Sequence, residues 1–206
     1  MIKVGTDHWV ELAIAFLLAV ATLSTAYSGY QASLWGGVQA TSYSQAGAKR
    51  TEAARVYNQA GQMRVYDVVV MIEWANAFLE GNQEKADFYQ ERFRPELGVA
   101  FDAWWATDPG SQSDFSGPFQ REEYQLAAEA EAYALELEAE ALFEEGRQAN
   151  AQSDEYVLNT VFLASVLFFT GIASRFTWLP VRIALVSLAG LVFIYGAYNL
   201  LTYPSL

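Results

Sequence analysis

The sequence predicts an all-α integral membrane protein with three transmembrane helices and a helical, hairpin or coiled-coil-like extramembrane domain between the first two. Three observations carry that class. Residues 12–27 and 157–201 are almost purely apolar, whereas residues 49–155 hold all but two of the 24 acidic residues and all but three of the 12 basic ones. Small and apolar residues recur at spacings of three and four, the mark of one helix face. No strand-like alternation of useful length occurs anywhere.

After an N-terminal tail (1–8), the first span covers residues 9–27, "WVELAIAFLLAVATLSTAY". A bilayer core of about 30 Å calls for roughly 20 apolar residues, and two later stretches also qualify. These are residues 156–174 and 179–201, separated by a short loop (175–178) and followed by a tail (202–206). Pro180 falls in the first turn of the third span, where its missing N–H is harmless. Trp9, Phe176 and Trp178 fall at one interface, and Tyr27, Tyr30, Tyr156, Tyr198 and Tyr203 at the other, as aromatic belts do. Lys3, Arg175 and Arg182 place the N-terminus and the 175–182 segment in the cytoplasm by the positive-inside bias. The domain at 28–155 then faces outward, to the periplasm if the membrane is a bacterial inner membrane. Ser24 and Ala26 would suit a signal peptidase, but Asp7 and Glu11 oppose Lys3 and favour a retained span.

Beyond the first span, Gly29, Ser33, Gly36, Ala40 and Gly47 form a small-residue stripe that continues to Thr51 and Ala54. Such stripes let another helix backbone approach closely. The first helix is therefore expected to leave the bilayer unbroken, with Gly36-Gly37 and Gly61 as candidate bends. Further out, Ala53, Val56, Ala60, Met63, Asp67, Val70, Trp74 and Ala77 make a heptad seam interrupted by one carboxylate. Residues 119–155 are rich in strong helix formers. Their seam runs through Ala128, Ala132, Leu135, Ala139, Leu142, Gly146, Ala149 and Ser153. Two such seams predict a tightly packed antiparallel pair. Between them, Gly81-Asn82 ends one helix and Pro95 starts another. Phe88, Phe93, Leu97, Phe101, Trp104 and Trp105 supply an apolar tip, residues 107–118 read as a loop, and residues 82–118 offer the surface for a protein partner.

The chemistry-bearing motifs are sparse. Cysteine is absent and His8 is the single histidine, which removes thiolate sites and the usual histidine-based constellations. No phosphate loop or nucleophile elbow occurs. No catalytic, cofactor-binding or metal-ligating residue is assigned, and the glutamates repeating at Glu122, Glu129 and Glu136 read as a solvated face. The acidic balance argues against nucleic acid, whose binders displace counterions with basic stripes. Asp67 is the sharper feature: it is placed to pair with Arg64 or Arg121, to set helix register, or to contact a ligand, and structural use is the expectation. Within the membrane, Asn159 and Asn199 are placed to hydrogen-bond across helices, and Thr160 could line a pore if several copies formed a ring.

The segments "TAYSGYQASLWGGVQA", "AKRTEAARVYNQAGQM", "ADFYQERFRPEL" and "ANAQSDEYVLNTVFLASVLFFTGIASRF" resemble an uncharacterised family of bacterial three-pass membrane proteins defined only as a domain of unknown function. The resemblance implies an architecture and no activity. The layout is also similar to three-pass subunits of proton-driven membrane motors, whose intervening helical domain is cytoplasmic. The expectation is a non-enzymatic structural or interaction protein whose partners are the lipid bilayer, further copies of itself and a protein at the acidic domain. A channel or transporter subunit, with span-two polar residues lining a pore, is the alternative.

Overall fold

The computed structural model describes residues 5–107 and 117–206, with side chains from His8 onward. Residues 108–116, which hold most of the expected loop and part of the expected partner surface, lie outside the described residues. The elements in order are α1 (Gly5–Leu79), α2 (Gln83–Gln90), α3 (Pro95–Trp105), a short 3-10 turn (Pro118–Gln120), α4 (Ala127–Ala173) and α5 (Leu179–Thr202). Among the described residues there is no strand. Helices α1, α4 and α5 are each long and apolar enough to cross a membrane.

Helix α1 is 75 residues long and runs uninterrupted through Gly36-Gly37 and Gly61. It stops where Gly81 takes up a φ of 73°, a left-handed conformation that glycine adopts without penalty. The Gly81 N–H then donates to the Phe78 carbonyl and the Asn82 N–H to that of Ala77. The Asn82 side chain caps α2 by accepting from the Lys85 N–H at 3.1 Å. Pro95 occupies the first turn of α3. Helix α4 begins at Ala127, later than its helix-forming composition predicts. Residues 119–126 instead carry the end of the 3-10 turn and an irregular stretch that drives Tyr124 and Leu126 into the core.

The chain divides into two compact units, one of residues 1–45 with 142–206, the other of residues 46–141. In the first unit, α1, α4 and α5 pack through Ala21, Val166 and Ala189, with Leu17, Leu167 and Val192 around them. Close approach is concentrated at two glycines. A methyl on Gly146 would meet the Tyr43 ring at 2.5 Å and the Gln39 carbonyl oxygen at 3.4 Å, and one on Gly196 would meet Leu163 at 2.9 Å. The expected stripe is displaced by about one residue from the face that packs. Gly29, Ser33, Ala40 and Gly47 are exposed and Gly36 is half-buried, while Ser28, Gln31, Ala32, Ser42 and Ala46 are buried. Ser28 and Gln31 occupy the packed face because they form hydrogen bonds there, which smallness alone does not reveal.

In the second unit, the outer seam of α1 is buried at Ala53, Val56, Ala60, Asp67, Val70, Trp74 and Ala77, with Met63 half-buried. Ala53 and Val56 pack on Ala132 and Leu135 of α4. Lys49 meets Glu138 at 2.7 Å and Arg64 meets Glu129 at 2.6 Å. The hydrogen bond to Glu138 holds the Lys49 ammonium above its usual range. The tip is an aromatic cluster in which Trp74 stacks on Phe78 and meets Phe101 edge-on at 4.7 Å, with Leu97 fully buried beside them. Phe88 departs from the expected cluster: it is half-exposed, with the Arg92 guanidinium 3.4 Å over its ring.

Gly146→Leu is expected to destabilise the chain by about 1–3 kcal/mol, because Tyr43 and the Gln39 backbone must give way. Gly29→Ala, at a site with open space, should stabilise α1 by up to about 1 kcal/mol. Thermal unfolding of the detergent-solubilised protein checks both signs.

Candidate functional site

Each unit has a place where buried polar side chains bond across segments. In the second unit that place is Asp67, fully buried in the middle of α1's seam. A buried carboxylate is tolerated only when donors surround it. Tyr124, carried inward by the irregular stretch before α4, donates its hydroxyl to Asp67 Oδ2 at 2.9 Å. Arg94, the residue before Pro95, donates Nη1 to the same oxygen at 3.2 Å and Nη2 to Glu96 Oε1 at 2.8 Å. Asp67 Oδ1 is buried without a hydrogen-bond partner. Burial raises the Asp67 carboxyl above its usual range, opposed by the Tyr124 hydroxyl and then by the Arg94 guanidinium. Burial, and then Asp67 itself, pushes the Tyr124 phenol up, so it remains the donor at neutral pH.

The expected partners of Asp67 are corrected here. Arg64 turns to Glu129 and lies 6.0 Å over the Tyr124 ring, and Arg121 sits 3.6 Å from Glu123. The pairing with Arg94 joins α1 to the start of α3, which heptad spacing along α1 does not reveal. Beside this site an open groove of about 550 Å³ is lined by Arg50, Tyr57, Arg64, Glu129, Tyr133 and Glu136. Its carboxylates and guanidinium groups already pair at Arg64–Glu129.

In the first unit, Asn199 of α5 donates to Asn159 Oδ1 at 3.3 Å, and Asn159 donates to the Ser28 hydroxyl at 3.3 Å. Ser28 in turn donates to the Tyr156 carbonyl at 3.0 Å. This chain of bonds ties α5 to α4 and α4 to α1. Ser153 adds a second tie by donating to the Ala32 carbonyl at 2.9 Å. The Gln31 amide holds Leu206 at both ends, donating to its carbonyl at 3.2 Å and accepting its N–H at 3.1 Å. Trp35 and Tyr156 both donate to the Pro204 carbonyl. Thr160 donates instead to Val157 of its own helix at 2.6 Å, so its hydroxyl is used within α4. Glu11 of α1 lies 3.8 Å from Arg182 of α5. Of the small residues singled out on α4, Ala132, Ala139 and Gly146 are buried. Ser28, Gln31 and Gly196 carry no sequence signal beyond their position on a helix, and Tyr156 is marked only as an interfacial ring.

These are joints between helices. Among the described residues, no group of three His, Cys, Asp or Glu side chains is arranged to hold a metal ion. Comparison with protein families, with curated proteins and with solved structures finds no match.

Asp67→Leu is expected to cost about 3 kcal/mol, because the buried Tyr124 hydroxyl and the Arg94 guanidinium lose their acceptor. Asp67→Asn keeps an acceptor and removes the titration. Between the ordinary carboxylate value and the raised one, the folded chain binds a proton that the unfolded chain does not. The Asp67 contribution therefore declines as pH rises through that window and is constant above it. Urea unfolding followed by tryptophan fluorescence should show stability declining as pH rises above the ordinary carboxylate value of about 4 in the parent, and a smaller decline in Asp67→Asn.

Proposed function

We propose that this chain is a non-enzymatic membrane protein of three passes that presents an acidic helical domain as a self-associating interaction platform. The observation that carries the reading is the use made of the buried polar side chains. Asp67, Ser28, Gln31, Asn159 and Asn199 all bond to other segments of the chain, and each such bond fixes one segment against another. A catalytic or transporting site needs polar groups kept available for a substrate.

The order of the α1–α4 contacts supports an antiparallel, coiled-coil-like hairpin as the domain's core. Going outward along α1, the partners on α4 fall from Glu138 at Lys49 to Glu129 at Arg64. The excess of basic residues at the N-terminus and the 175–182 segment supports an outward-facing domain, periplasmic in a bacterial inner membrane. Thr160 and Asn159 give the channel alternative little support, since both side chains already have partners inside the chain.

A topology reporter inserted at Ser113 should read as external, and the native mass in mild detergent should exceed that of one chain. Reconstituted vesicles should show background ion flux. A strictly monomeric protein, or a flux abolished by Thr160→Val, would overturn the reading.

A further inference from the structure

The segment that follows α5, residues 203–206, lies against α1 and α4 of its own unit. Tyr203 stands at φ −71° and ψ 139°, the polyproline II region, and residues 204–206 carry no regular structure. Four hydrogen bonds tie Pro204 and Leu206 to the two helices, and each of them ends on main chain. The Trp35 indole N–H and the Tyr156 hydroxyl both donate to the Pro204 carbonyl, at 3.1 Å and 3.2 Å. The Gln31 amide donates to the Leu206 carbonyl and accepts the Leu206 N–H. The side chains of the held segment are left outside: Pro204 and Ser205 are exposed, and Leu206 is 54% exposed. The groups that hold it are built into the unit. Gln31 is 2% exposed and its amide is fixed by a further bond to the Tyr27 hydroxyl at 3.0 Å, while Tyr156 is fully buried.

We propose that Gln31, Trp35 and Tyr156 form a binding seat for an extended, proline-containing peptide, with residues 203–206 as its resident occupant and a protein partner's segment as the ligand that replaces them. An amide that gives one bond and takes one reads a peptide main chain as a neighbouring strand would. Aromatic side chains lining a groove are the usual receptors of polyproline II segments, whose shape is set before binding and costs little entropy to fix. Proline has no N–H to leave unpaired at the position where two donors converge on its carbonyl. Because the seat grips main chain and leaves side chains outside, it accepts other sequences of the same conformation. Release of the resident segment also leaves α5 whole, since the Tyr203 N–H closes that helix on the Asn199 carbonyl. The seat lies in the first unit and does not depend on the self-association proposed above.

The probe is a fluorescein-labelled peptide of residues 202–206, "TYPSL", capped at its other end and followed by anisotropy in lipid nanodiscs. A chain shortened after Thr202, with the helix content of the full chain by circular dichroism, should bind it. The full chain should bind at least about tenfold more weakly, because its attached segment competes at an effective concentration of about millimolar. Trp35→Phe and Gln31→Leu in the shortened chain should each weaken binding about fivefold. A peptide N-methylated at the Leu206 position should not bind, whereas one carrying Leu206→Ala should. A folded shortened chain that binds no peptide, or binds the N-methylated one equally, would overturn the proposal and leave residues 203–206 a fixed brace. If shortening disturbs the fold, the full chain decides. The protein has no cysteine, so a spin label on Ser205→Cys reports this segment alone. Excess unlabelled peptide should mobilise that label and the N-methylated peptide should not. A label that responds to neither, or to both alike, would equally overturn the seat.

Discussion

The constraint on which the rest of the structure depends is the seven-residue repeat of buried positions along α1. From Ser28 to Ala77 the inward-facing residues follow alternating steps of four and three, and the repeat stays in phase as the surroundings change from apolar to acidic. What fills it changes with those surroundings. At the end of the first span the seam includes Ser28, which bonds to α4, and farther out it includes Ala53, Val56, Val70 and Trp74. Burying apolar area gives no advantage between helices that already lie in hydrocarbon, where packing and interhelical hydrogen bonds hold them. In water the same burial is worth about 25 cal/mol per Å² and dominates. One register therefore serves two different sources of cohesion.

Asp67 is where the outer seam admits a polar group, and the energetic balance there is close. Desolvating a carboxylate costs several kcal/mol, and two donors to a single oxygen recover only part of it. What the arrangement supplies is position. Tyr124 reaches Asp67 only if residues 121–126 stay out of the helix, and Arg94 reaches it only if α3 starts at Pro95. A shift of α1 by one residue would turn Asp67 away from both donors and carry an apolar neighbour into their place. The polar chain from Asn199 to Ser28 does the same for the membrane helices, since each amide or hydroxyl has its partner at one relative height only.

Much of the helical layout is legible in the sequence, because apolar residues at three-four spacing mark the outer seam of α1 and the Ala132–Ala139–Gly146 seam of α4. The helix stop at Gly81 and the start at Pro95 follow from the backbone limits of those two residues. The packed face nearer the membrane is not legible in the same way. Its markers include Ser28 and Gln31, which look like solvent-facing residues until their bonding partners are placed. Glycine invites the opposite error: Gly29 and Gly47 look like contact points and lie exposed, whereas Gly146 owes its role to the Tyr43 ring. The partners of Asp67 escape sequence reasoning because Arg94 and Tyr124 come from segments whose distance from α1 depends on the whole tip. The irregular stretch at 121–126 is hidden for a related reason, since its composition favours helix and only the burial of Tyr124 and Leu126 opposes it.

The register of α1 against α4 is tested most directly by a zero-length carbodiimide crosslink in the unmodified protein. The reagent activates a carboxylate and couples it to an amine already in contact, and Lys49 lies 2.7 Å from Glu138. Mass spectrometry of the digested, crosslinked protein should find the Lys49–Glu138 amide as the dominant product of Lys49, formed within one chain in a mixture of light and isotope-labelled protein. Coupling of Lys49 to Glu131 or Glu145, one heptad away on either side, would contradict the account.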